Sequence, residues 1–495
     1  MPAMGSTLGD VSRRVGGEVI GDPDTWLADV THDSRSAGPE MLFVAVRGAE
    51  HDGHDYVEAA VISGSPAVAV EYPMPIDAGQ LIVDDTRAVM SVIAAEVHND
   101  PSHKVAVIGV TGTNGKTTVT HYIESLMRSA GRVAGLIGTV ETRVGSTVIP
   151  SERTTPEATD FQRLLATMRD LGAEMIAAEI SSHALDMNRV ASTRFAVAAF
   201  TNLSQDHLDF HGTMESYRSA KERLFRDFDI GTSVINVDDP VGAEIAGWVR
   251  GPKILIGRRG EVSAGDIHSS FDGTSFQLVT PLGNAVVNSS LIGAFNVENA
   301  LVAVGCCLAL GSSLDEIVLG LSELRGVPGR FELVGEREGI RVVVDYAHTP
   351  DGIHEAISVA RALSDGRVIA VVGAGGDRDR EKRPLMGQAA SEADVAIITS
   401  DNPRTEDPDR ILNDVAAGAT TAKAVLEVDR RRAIARAIGS AERDDVVLIL
   451  GKGHEIGQEI DGRVFPFDDR DVARELLGIA PSSPESGPDS GSMSL

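Results

Sequence analysis

Short apolar runs separated by stretches with helical spacing dominate the chain. Val105-Ala106-Val107-Ile108, Met175-Ile176-Ala177-Ala178 and the runs at 196–201, 233–237 and 253–257 alternate with amphipathic segments. Continuous apolar strands between helices predict a mainly parallel sheet covered on both faces. The first hundred residues repeat the pattern on a smaller scale, with runs at 41–46, 67–70 and 81–83. Residues 261–292 are short, alternating and turn-rich, which predicts an antiparallel patch, and 294–310 reads as a helix. Gly326 to Glu332 reads as a linker, after which strands are expected at 342–345, 368–373, 394–399 and 446–450. The expected class is therefore α/β, with a small unit over 1–102, a central unit over 103–329, a third over 330–480 and a disordered tail over 481–495.

Composition narrows the partners. The chain has 495 residues, enough for about three domains at roughly 150 residues each. Its net charge of −28 argues against nucleic acid or an anionic membrane as a general partner. A local cluster of Lys and Arg still permits an anionic substrate. The two cysteines, Cys306 and Cys307, are adjacent in an apolar helical run and form no disulfide framework. No leader pattern opens the chain, and no apolar run approaches the roughly 18 residues of a membrane span. A cytoplasmic protein is expected.

The strongest chemical signal is Gly109-Val110-Thr111-Gly112-Thr113-Asn114-Gly115-Lys116-Thr117-Thr118. It follows an apolar strand and leads into a helix starting near Lys116. Such a turn aims backbone N–H groups and a helix N-terminus at an anion. Lys116 is spaced to reach the β/γ-phosphates and Thr117 to bind Mg²⁺. The strict P-loop places its first glycine where this chain has Val110, so the loop is a variant. In the third unit, Gly373-Ala374-Gly375-Gly376 is followed by Arg378 where a dinucleotide fingerprint needs glycine, which argues against such a site.

Other candidates are open from spacing alone. Glu179 ends an apolar strand, where it serves either as a Mg²⁺ ligand or as a cap on the next turn. Ser181-Ser182-His183 lacks the nucleophile-elbow pattern. His207, Asp209 and His211 recur at every second residue, as a transition-metal cluster or as polar loop residues with one functional histidine. Lys221 falls within the helical stripe Met214, Tyr217, Leu224, Phe225 and Phe228, and either snorkels or is desolvated into a neutral amine. Asp401-Asn402-Pro403-Arg404 and Gly451-Lys452-Gly453-His454-Glu455 directly follow apolar strands, and an Arg fixed beside a proline suits carboxylate recognition.

Together these pieces resemble the Mur ligases of peptidoglycan synthesis, over nearly the whole chain to about residue 478. The resemblance rests on TGTNGKTT at 111–118, AEISSH at 178–183, LSQDHLDFHG at 203–212, GAFNVENALVA at 293–303, GRFE at 329–332, DYAHTPD at 345–351, GGDRDREKRPLM at 375–386, DNPRTEDP at 401–408 and GKGHE at 451–455. It implies a three-domain architecture with a central P-loop parallel-sheet ATPase domain and a C-terminal Rossmann-like α/β domain. The residues most resemble those of members that add the third residue of the stem peptide.

By resemblance, Gly112, Thr113, Asn114, Gly115, Lys116, Thr117 and Thr118 hold ATP, with Asn299, Arg330, Asp345 and His348 around the nucleotide. Thr117, Glu179 and His207 resemble Mg²⁺ ligands, and Lys221 matches a lysine carrying a CO₂-derived carbamate. Lys116, Lys221 and His207 are the catalytic candidates. Ser34, Thr154, Thr155, Ser181 and Arg189 match contacts to UDP-MurNAc-L-Ala-D-Glu, although Met187 stands where some relatives have Gln. Arg378, Asp401, Asn402, Pro403, Arg404, Gly451 and Glu455 match a meso-diaminopimelate site. The implied reaction is ATP-dependent amide formation through an acyl phosphate, by a monomer acting on small molecules. L-Lysine as the incoming amino acid, a folylpolyglutamate synthase-like ligase and a non-catalytic nucleotide scaffold are the alternatives.

Overall fold

A computed structural model describes residues 5–48, 51–151, 153–419 and 424–479; the tail expected to be disordered lies outside these. Three α/β units follow one another along the chain, each built on its own sheet. The first sheet has the strand order 18–20, 79–82, 67–70, 41–44, 29–31, with only the 18–20 edge antiparallel. Leu8 and Val11 of helix Leu8–Val15 and Ile93 and Val97 of helix Thr86–Val97 bury against Leu42 and Leu81 of that sheet.

The central sheet has eight strands, ordered 147–148, 142–144, 134–137, 175–179, 106–111, 195–200, 230–236, 253–256. The six from 134–137 to 253–256 run parallel, as their continuous apolar runs demand. The edge hairpin at 142–148 was not anticipated. Core side chains cover both faces: Val107, Phe161 and Phe195 on one, Ile108, Tyr122 and Val302 on the other. The antiparallel patch consists of strands Ser263–Ser270, Gly273–Thr280 and Gly283–Ser289, and helix Ala294–Ala309 follows. Strand Ala106–Thr111 lies between 175–179 and 195–200, where chain order along the sheet reverses. Ligands of open α/β sheets sit at such a switch point.

The third sheet is ordered 332–337, 340–345, 446–450, 368–374, 395–400, 424–426, parallel except for its first pair. Glu332, expected to end a linker, begins strand Glu332–Arg337, because Leu333 and Val334 have a neighbouring strand to bury against. Register places Asp345 beside Leu450 and Ala374 beside Ser400. The segments beginning at Tyr346, Gly375, Asp401 and Gly451 thus leave the sheet on one edge.

That edge is braced by a charge inside the protein. Arg430 and Asp469 both have fully buried side chains, 2.6 Å apart, and Arg430 also donates to the carbonyls of Ser400 and Leu450. A buried ion pair is stabilising mainly because neither partner tolerates being left alone. Asp469→Ala is expected to cost about 3–5 kcal/mol, seen as a lowered midpoint in urea unfolding. A loss within about 0.5 kcal/mol would contradict the role given to this pair.

Candidate functional site

The glycine-rich turn is built as its sequence requires. Strand Ala106–Thr111 ends, Gly112 to Gly115 turn, and helix Lys116–Ser129 starts with Gly115 at a left-handed φ of 85°. A Cβ added to Gly115 would lie 2.3 Å from Asn299 Oδ1, so the backbone is open only because the residue is glycine. Asn299 comes from helix Ala294–Ala309 and lines the same cavity as residues 113–118. The Asn114 N–H is fixed by Asn202 Oδ1 at 2.9 Å. Lys116 curls back, donating to the carbonyls of Gly112 (2.9 Å) and Thr113 (2.8 Å).

Glu179 ends its strand abreast of Val110 and is 1 % exposed. Its carboxylate accepts from Thr117 Oγ1 (2.9 Å), the Thr139 N–H (2.7 Å) and Thr139 Oγ1 (3.1 Å). It is therefore aimed into the turn and does not merely cap its own strand. Thr139 lies in none of the motifs that marked the site, which is why it was missed.

Lys221 is 2 % exposed, so it does not snorkel. Its Nζ donates to the Gly112 carbonyl at 2.6 Å and stands 4.4 Å from the Tyr217 ring centre. Burial, reinforced by nearby Lys116, pushes its pKa well below the usual lysine value. Lys116 is likewise lowered by burial, against the pull of Glu179 and Asp206. Both amines line one cavity, together with Glu179, Asp206 and Arg330.

His207 adopts a left-handed φ of 56° and lines the cavity. Burial lowers its pKa to about 3, against the opposing pull of Asp206, and lowers His183 to about 4. The rings of His183, His207 and His211 pack against one another, Phe210 and Tyr217. His211 bonds Ser182 Oγ at 2.9 Å. Among the described residues no three His, Cys, Asp or Glu side chains are grouped so that they could hold a metal ion.

The third unit closes the other wall. Arg330 stacks on Tyr346, 4.4 Å to the ring centre, and donates to Thr117 Oγ1 at 2.9 Å. Asp345 accepts from the N–H groups of Phe331 (2.6 Å) and Ala347 (2.7 Å), and burial raises its pKa. His348 lines the cavity and is 3.7 Å from Asp206.

Of the other candidates, Thr154 and Ser181 line the cavity; Thr155, Arg189 and Ser34 do not. Thr155 Oγ1 clasps the Glu179 carbonyl at 2.7 Å and accepts from the Ser181 N–H. Arg189 pairs with Glu157 at 2.9 Å and approaches Met187 Sδ at 3.3 Å. Ser34 opens a short helical turn in the first unit.

The loops on the third sheet's edge form a separate cluster. Asn402 donates to Glu455 at 2.8 Å, and buried Lys452 bonds both Asn402 Oδ1 (3.0 Å) and Glu455 (2.9 Å). Gly451 has a φ of 116°, and a Cβ there would lie 2.5 Å from Asp401 Oδ2. Arg404, at a φ of 52°, donates to the Gly376 carbonyl at 2.5 Å, beside the loop carrying Arg378, and lies 3.3 Å from Glu459. Arg383 has no exposed side-chain surface and joins Glu406 (2.8 Å) to Asp414 (2.9 Å). Asp206 and Lys382, from the central and third units, meet at 2.9 Å. Both lie within quoted motifs, yet a pair 176 positions apart leaves no signal in spacing.

Three family models match the chain: "Mur ligase family, catalytic domain" over 27–114, "Mur ligase middle domain" over 110–307 and "Mur ligase, glutamate ligase domain" over 329–453. A UDP-N-acetylmuramoyl-L-alanyl-D-glutamate–2,6-diaminopimelate ligase of Geobacillus kaustophilus is 46% identical over 92% of this chain and 96% of its own. A like-named ligase of Aquifex aeolicus is 43% identical over 91% and 93%. A solved structure bearing the same ligase name is 32% identical, with a TM-score of 0.68 over 96% of this chain and 99% of that one. A folylpolyglutamate synthase of Mycobacterium tuberculosis shares the fold, at 18% identity and a TM-score of 0.61.

Gly115→Ala is expected to weaken ATP binding at least about tenfold, because the turn must shift to relieve a left-handed backbone and a clash with Asn299. Calorimetric titration with a non-hydrolysable ATP analogue measures it. Unchanged affinity would contradict the placement of the phosphate turn.

Proposed function

Because the chain belongs to the Mur ligase family, we propose that it is an ATP-dependent amide ligase that joins meso-2,6-diaminopimelate to UDP-MurNAc-L-Ala-D-Glu. The observation that carries this reading is the shared cleft: a glycine-rich turn, a buried carboxylate, buried Lys221 and half-buried Lys116 face residues of the unit that also carries Arg404.

Chemistry fits the parts. The terminal carboxylate of the D-glutamyl residue attacks the γ-phosphate of ATP, releasing ADP and forming an acyl phosphate. An amine of diaminopimelate then attacks the acyl carbon, and phosphate leaves with the carboxylate oxygen. The first step brings two anions together, so positive charge is needed in a poorly solvated site. Lys116 supplies it once it swings from its loop carbonyls, and Arg330 is poised beside Thr117. Thr117 and Glu179 would offer oxygen ligands to Mg²⁺ and His207 a nitrogen, and the cation would neutralise phosphate charge. Lys221 would carry a CO₂-derived carbamate, since burial maintains the neutral amine that carbamate formation requires. Thr154, Thr155, Ser181, Arg189 and Ser34 are assigned to the UDP-linked substrate.

Arg404 is assigned to the amino acid. Diaminopimelate differs from lysine by a second carboxylate at its far end, and a guanidinium is the natural partner for it. Arg378, Asp401, Asn402, Pro403, Gly451 and Glu455 complete that site, with the Asn402–Glu455–Lys452 network holding its floor.

Phosphate release with ATP, UDP-MurNAc-L-Ala-D-Glu and an amino-acid panel tests the assignment. Meso-diaminopimelate is expected to give rapid turnover and L-lysine little; equal turnover with lysine would overturn it. Arg404→Ala is expected to raise the KM for diaminopimelate at least about tenfold, the effect of removing the guanidinium partner of its far carboxylate at about 1.4 kcal/mol per decade. An unchanged KM would remove Arg404 from recognition. Lys221→Ala is expected to lose about 100-fold or more in kcat, with partial recovery in added acetate. Full activity of that variant would exclude the carbamate.

A further inference from the structure

The central and third units meet through a buried charge pair, Asp206 and Lys382, whose carboxylate also lines the cavity beside His207. Asp206 Oδ1 accepts from Lys382 Nζ at 2.9 Å, and both side chains are at least nine-tenths buried. The same oxygen accepts from the His207 N–H at 3.0 Å, while the other oxygen faces His348 at 3.7 Å. One carboxylate of the central unit therefore engages two side chains of the third. Lys382 opens helix Lys382–Ala390, directly after the loop of Arg378. Its neighbour Arg383 turns the other way, binding the Gly375 carbonyl and Glu406, the latter in the segment that follows Arg404. Two consecutive residues thus connect the amino-acid loops with the phosphate-binding unit.

We propose that the Asp206–Lys382 pair is the latch that positions the third unit over the phosphate turn, and that it serves the amide-forming step, not activation of the carboxylate. The inference rests on the ligase reading above. Activation needs ATP, the UDP-linked substrate and groups that belong mostly to the central unit. Amide formation also needs the amine, which the third unit must present within bonding distance of the acyl carbon. A displacement of about 1 Å is enough to cost about a hundredfold in such a step. The Arg330–Thr117 contact also joins the two units, but it uses the hydroxyl assigned to Mg²⁺. Asp206 and Lys382 carry no such second assignment.

Lys382→Met, purified as the full chain, is the test. With ATP and UDP-MurNAc-L-Ala-D-Glu but no amino acid, borohydride trapping of the acyl phosphate is expected to stay within about threefold of the unaltered enzyme. Tripeptide formation with diaminopimelate should fall about a hundredfold. Asp206→Asn should lower the same step, and the double variant should fall no more than about twofold below the worse single variant, as one shared interaction requires. Lys382→Arg, which keeps the charge, should recover at least a tenth of the activity if its melting temperature matches. Equal loss of trapping and ligation, an additive double variant or unchanged ligation would each overturn the latch. Failure of the unaltered enzyme to use diaminopimelate would instead overturn the ligase reading.

Discussion

The buried carboxylate of Glu179 is the constraint on which the site depends. It ends a central parallel strand, abreast of Val110 near the end of the strand that enters the glycine-rich turn, and has almost no solvent of its own. A charge so placed must be satisfied by the protein or by a cation. Thr117 ties it to the phosphate helix and Thr139 to the neighbouring loop. Its own backbone carbonyl holds Thr155, which in turn holds Ser181. Through Thr117 the network reaches Arg330 and the third unit. The proposed phosphate, metal and UDP-substrate groups are thus oriented around one anion.

Around that anion the cleft gathers basic groups among further carboxylates, Asp206, Glu298, Asp345 and Glu355, in a chain that carries −28 as a whole. Lys116, Lys221 and Arg330 converge on a cavity whose walls come from two units. Burial costs Lys116 part of its charge, which arriving phosphates would restore, while Lys221 stays the neutral amine that a carbamate requires. Net charge and local field are separate quantities here: the first concerns solubility and the second the ligand. The third unit repeats the arrangement with its own strand-end loops. Arg430–Asp469 braces the strands, Lys452 and Arg383 brace the loops, and Arg404 remains near the surface between Gly376 and Glu459.

The parallel strands were legible because strands buried on both faces are continuously apolar, as 106–111 and 446–450 are. The edge pieces were not. Ala134–Ile137 is short and contains Gly135, and hairpin 142–148 is polar, so neither stands out from loops. The strand, glycine-rich turn and helix could be read because their pattern lies in ten consecutive residues. Lys221 could not be resolved, since a stripe reveals which face is buried but not what surrounds the tip. Here the Tyr217 ring and the Gly112 carbonyl surround it. Thr139, Lys382 and Arg383 act through partners brought near only by folding.

At the centre of this account is the claim that oxygen of the D-glutamyl carboxylate passes through an acyl phosphate, a mixed anhydride, before the amide forms. UDP-MurNAc-L-Ala-D-Glu labelled with ¹⁸O in that carboxylate tests it directly, with ATP and diaminopimelate present and the released phosphate examined by mass spectrometry. One labelled oxygen is expected in each phosphate formed with product. Phosphate free of label, alongside normal amide formation, would contradict the acyl-phosphate route and the roles given to the groups around Glu179.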